Sequence, residues 1–92
     1  MFTYSDSQAI LRILGNRIRS ARIRRGDHQK VFAYRIGVSI PTLRDLEEGK
    51  PTVSVGAFMN ALEAVGHLDE MTGIMAGVAT DKKRARKSVR PA

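Results

Sequence analysis

Lysine and arginine are the residues with which this chain can do chemistry. It holds 16 of them against nine aspartates and glutamates, a net charge of +7 on 92 residues. The chemistry open to them is charge-assisted hydrogen bonding, and a polyanion is the natural counterpart. The cations gather in two places. Arg12, Arg17, Arg19, Arg22, Arg24 and Arg25 follow one another with no acid between Asp6 and Asp27. Lys82, Lys83, Arg84, Arg86, Lys87 and Arg90 crowd the last twelve residues, DKKRARKSVRPA. About half of the first group is accounted for as a solvated face, since a helix buries a single stripe. The second group reads equally well as extra phosphate contacts or as a solvated end.

Catalysis finds little to work with. His28 and His67 are the only histidines, each isolated from acids at metal-ligand spacing, and there is no cysteine, glycine-rich phosphate loop or nucleophile elbow. No enzyme activity, metal or cofactor is expected. The lack of cysteine fits a reducing compartment. The opening MFTYSDSQ lacks the basic and apolar regions of a signal peptide, and no apolar run approaches membrane-spanning length. A soluble cytoplasmic protein, associated with the nucleoid, is the expectation.

The elements that would position the cations follow from hydrophobic spacing. Ser5 and Gln8 fit a capping box, after which Leu11, Leu14, Ile18 and Ala21 predict a long helix that ends at Gly26. In QKVFAYRIGVSIPTLRDLEEG, residues 29–49, Val31, Phe32 and Ile36 predict a short helix. Gly37 can take the left-handed conformation that ends it, Ser39 can cap the next, and Leu43 and Leu46 turn back to the core. This is the pattern of a helix-turn-helix, in which a second helix set at about 90–120° to the first can enter the major groove of DNA. Ser54 would cap a fourth helix carrying Val55, Phe58, Met59, Leu62 and Val65 and closed by Gly66. A weaker fifth helix from Leu68 would present Leu68, Met71, Ile74, Met75 and Val78, half to the core and half to a second subunit, although Gly73 and Gly77 weaken it. The expected architecture is all-α, a compact five-helix domain over residues 1–79 with its core in 14–68. A basic tail, disordered in the free protein, follows over 80–92.

The run from Leu14 to Leu68 resembles the Cro and lambda-repressor class of helix-turn-helix domains, also called the XRE class. Gly37-Val38-Ser39 and Leu46-Glu47-Glu48-Gly49-Lys50 are the most specific words of that likeness. Within the class, LEEGKPTVSVG, a fourth helix ending in AVG, a short fifth helix and a basic tail are similar to HipB-like antitoxins. Such proteins bind a HipA-like kinase toxin and repress the operon that encodes both.

The resemblance implies roles residue by residue. Ile40, Pro41, Arg44 and Asp45 would occupy the exposed recognition positions. Arg44 would read guanine, Ile40 and Pro41 would touch a thymine methyl, and Asp45 would accept from cytosine N4, orient Arg44 or sit solvated. Gln29 would meet phosphate or a neighbouring readout side chain, while Thr42, Ser39, Arg17 and Lys50 would meet phosphate. Arg22 and Glu47 would form a structural ion pair. The chain departs from the family pattern at Asp27-His28, where Asp27 could replace the missing cap and His28 could cap the helix or approach a phosphate. The implied partners are an inverted-repeat operator in double-stranded DNA, a second copy docked through Leu68, Met71, Ile74 and Met75, and a HipA-like kinase toxin. A regulator of the same class without a toxin is the alternative. A pure protein-interaction module fits less well, because only five aromatic residues are present to act as anchors.

Overall fold

The computed structural model describes residues 4–79 and is all-α. Its elements are α1 (Tyr4–Arg24), α2 (Gln29–Ile36), α3 (Ile40–Glu47), α4 (Val55–Ala64) and a short 3-10 helix, Leu68–Gly73. No described helix is long and apolar enough to cross a membrane. Phe2, the side chain of Tyr4 and the basic residues Lys82, Lys83, Arg84, Arg86, Lys87 and Arg90 lie outside the described residues.

Four short apolar faces share one core. Ile18 of α1, Phe32, Ala33 and Ile36 of α2, Leu43 and Leu46 of α3 and Ala61 of α4 are buried together. Phe32, Leu43 and Leu46 are the largest side chains fully removed from water. Phe58, Leu62 and Val65 close the core from the α4 side. The connection from α2 to α3 is built as its residues predict. Gly37 sits at φ 77°, ψ 30°, and the N–H groups of Gly37 and Val38 return to the carbonyls of Tyr34 and Ala33. The Ser39 hydroxyl then accepts the N–H of Thr42 at 3.2 Å and so caps α3. Asn60 Nδ2 donates to the Ile36 carbonyl at 3.3 Å, which ties α4 to the end of α2.

Several expectations are corrected. Val31 is 47% exposed and Val55 70%, so neither belongs to the core. The helix that should begin after a Ser5 cap already includes Tyr4. Asp27 does not cap α2: His28 is the N-cap, with no side-chain bond, and the Asp27 carboxylate pairs instead with Arg35 at 2.9 Å. The fifth helix is a single 3-10 segment that stops at Gly73. Ile74, Met75 and Val78 lie past its end, exposed, with Met75 at a positive φ of 59°.

A close backbone approach runs between α1 and the end of α3. A Cβ placed on Gly15 would lie 2.5 Å from the Leu46 carbonyl oxygen and 2.8 Å from that of Glu47. Gly49, at φ 75°, would put its own Cβ 2.5 Å from the backbone of Arg12. Two glycines thus let α1 lie directly against the last turn of α3. Gly15→Ala is expected to force the two helices apart and to destabilise the domain by about 1–3 kcal/mol, read as a lower urea midpoint with an unchanged slope.

Candidate functional site

At the α1–α3 seam a charged pair is buried. Arg22 and Glu47 are each only 6% exposed. Arg22 Nε donates to Glu47 Oε2 at 2.6 Å and Nη2 to Oε1 at 3.1 Å, a two-pronged contact, while Nη1 donates to the Asp27 carbonyl at 2.8 Å. One guanidinium therefore holds α1, the connection to α2 and the end of α3. Glu47 needs that cation, because a carboxylate in the last turn of a helix sits at the negative end of its dipole. No side-chain polar atom buried among the described residues is left without a partner.

The network continues outward. Gln29, the first residue of α2, donates from Nε2 to Glu47 Oε1 at 3.3 Å, and Arg44 Nε donates to Gln29 Oε1 at 3.4 Å. A carboxylate only accepts and a guanidinium only donates, so an amide is suited to stand between them, and its orientation is fixed by them. Both bonds are long and individually weak. Together they form a row, Arg22–Glu47–Gln29–Arg44, that runs from the buried pair to an exposed arginine on α3. Held through Nε, Arg44 keeps both terminal nitrogens for an incoming acceptor.

The other positions singled out from the sequence divide clearly. Pro41 and Arg44 are exposed on α3. Ile40 is half-buried and packs against the core, so it is not the open recognition position expected. Asp45 is also half-buried, and its carboxylate faces Lys50 Nζ at 3.4 Å rather than Arg44. Lys50 has Glu48 at 3.5 Å as well, so two carboxylates outnumber its ammonium. The hydrogen bond and charge of Asp45, with Glu48 behind them, hold the Lys50 pKa above its ordinary 10.5. The contribution of this raised group is complete below the ordinary lysine value and is lost only as pH rises past the raised one. It is therefore constant around neutrality. Thr42 Oγ1 accepts from Ser39 Oγ at 2.9 Å, which engages the Ser39 proton and leaves that of Thr42 for another oxygen. Arg17 stands elsewhere, in the wall of a groove between α1 and α4. His28 is exposed and makes no capping bond, and His67 Nδ1 meets the Glu70 carboxylate. Among the described residues no group of His, Asp or Glu could hold a metal ion.

Two features of the site are not readable in the sequence. Gly15 carries no pattern that marks it as the point where α1 meets α3. The second is the position of the Glu47 carboxylate at the start of α2, where it accepts from Gln29, although Glu47 belongs to the end of α3. Comparison of the chain with protein-family models, with curated proteins and with solved structures returns no match.

Removing one member of the buried pair strands the other. Arg22→Met or Glu47→Leu alone is expected to destabilise the domain by about 3–5 kcal/mol, whereas the two together should recover most of that loss. Thermal and urea unfolding of the three variants checks this, and an additive double variant would show that the pair is not coupled.

Proposed function

We propose that the chain is a sequence-specific DNA-binding regulator of the lambda-repressor-like helix-turn-helix type, with α2 crossing the phosphate backbone and α3 in the major groove. The observation that carries this reading is the row that ends on Arg44. An arginine steadied through Nε on the open side of α3 has the geometry to bond guanine O6 and N7 together through its terminal nitrogens. Its neighbours suit the same partner. Pro41 offers an apolar surface to a thymine methyl, and Thr42 has a hydroxyl proton for phosphate. The start of α2 at Gln29 lies beside Arg44, and the two nearby carboxylates, Asp27 and Glu47, are each paired with an arginine of their own chain. The net charge of +7 supplies long-range attraction.

A homodimer on an inverted repeat completes the reading, because one eight-residue helix touches few bases. Two copies of α3 would then sit about one DNA turn apart, roughly 34–36 Å. Half-buried Leu68 and Met71 and exposed Ile74 and Met75 are the residues we assign to that contact. The likeness to HipB-like proteins supports an antitoxin that also represses its own operon and binds a HipA-like kinase toxin. Stable co-purification with the product of the adjacent gene tests that finer assignment, and a regulator acting alone is the outcome if the two separate.

The DNA reading is tested by selecting duplexes from a random pool and titrating the preferred site with single-base changes. Arg44→Ala is expected to lose about 1–3 kcal/mol of discrimination at one position of each half-site. Thr42→Val should weaken all sequences alike. No preferred duplex at physiological salt would sink the reading. Removal of residues 81–92 is expected to lower the salt slope of binding by about 0.9 for each phosphate that the segment neutralises. An unchanged slope would make that segment a bystander to DNA.

A further inference from the structure

An open groove of about 360 Å³ runs between α1, the end of α4 and the 3-10 helix, and it shares no residue with the row that ends on Arg44. Its floor is apolar, formed by Leu14 and Ala21 on one side and Leu62 and Val65 on the other. Arg17 and Arg24 stand along the α1 edge. They are exposed, and neither is bonded to a carboxylate of the described chain. Seven residues apart, they repeat after two turns, about 10.5 Å along the axis. The opposite edge carries His67 and Glu70, which engage each other.

From this geometry we infer that the groove is a docking site for an acidic amphipathic helix of a partner protein. An apolar stripe would fill the floor, and carboxylates two turns apart would meet Arg17 and Arg24. The spacing of the two arginines matches a helix better than an extended strand, whose side chains on one face recur about every 6.7 Å and so miss a separation of about 10.5 Å. The sign of the edge selects acid. A second copy of this chain fits poorly: Asp27, Asp45, Glu47, Glu48 and Glu70 are engaged by cations of their own chain, the exposed acids Glu63 and Asp69 lie on separate elements, and no described helix carries two acids seven residues apart. The inference stands apart from the base readout on α3, and it gives Arg17 the groove in place of the phosphate contact that the resemblance implied for it.

The test uses the full chain and a fluorescent synthetic helix of about four turns, with leucines at i, i+3, i+4 and i+7 and glutamates seven apart on one edge. Anisotropy titration is compared for the unaltered protein, for Arg17→Glu with Arg24→Glu, and for the equally charged Arg19→Glu with Arg25→Glu. Circular dichroism verifies that each variant is folded. The groove pair is expected to weaken binding about tenfold or more, with a Lys-for-Glu peptide restoring it, while the other pair changes it by less than about threefold. Hydrogen exchange should slow over residues 14–24 and 62–70. Equal losses in both pairs would reduce the effect to net charge and overturn the proposal. So would protection elsewhere, no binding, or a peptide that binds only by dissociating a dimer, which would assign the groove to a second copy.

Discussion

The interaction on which the rest depends is the buried pair between Arg22 and Glu47. It joins α1, the longest of the described helices, to the last residue of α3, and it demands a close seam, because a two-pronged guanidinium–carboxylate contact tolerates little displacement. Gly15 and Gly49 provide that seam by leaving no Cβ in it. The apolar core behind it is small, with only Phe32, Leu43 and Leu46 fully buried among its large side chains. A small core of this kind has a small margin of stability, so an uncompensated charge at its edge is a large perturbation. The orientation of α3, and with it the direction in which Arg44 leaves the surface, follows from that seam.

The turn between α2 and α3 is fully legible in the sequence, because Gly37 and Ser39 act through local backbone geometry that depends on nothing distant. Core membership is less so. In helices of eight to ten residues an apolar side chain one position off the buried stripe is indistinguishable by spacing from one on it. Val31 beside Phe32, and Val55 at the first turn of α4, mislead for that reason. Ile40 errs in the other direction: at the first position of α3 its side chain leans back over the preceding turn and reaches the core. Asp27 precedes a helix and has the chemistry of a cap, but Arg35, one turn and more along α2, offers its carboxylate a charged partner instead.

The candidate site is readable from sequence only in its parts. Likeness to a known pattern pairs Arg22 with Glu47, and it places Gln29 near a readout side chain. Spacing cannot show that these are one connected row, since the four residues come from three helices and meet only after folding. The same holds for Asp45 and Lys50. Their contact spans the end of α3, and it diverts both from the roles that an exposed acid and an exposed base suggest in isolation.

The amide of Gln29 gives that row a direction. Its nitrogen end points inward to an acceptor and its oxygen end outward to a donor, so it presents the surface with a demand for a donating side chain at position 44. An acid there would face a carbonyl oxygen, and turning the amide to suit it would set oxygen against the Glu47 carboxylate. Position 44 is thereby biased toward residues that can donate, although the bond is long and a side chain that neither donates nor accepts would only leave the Gln29 oxygen to water. A charge change at this one surface position is thus felt, through a single amide, at the buried pair.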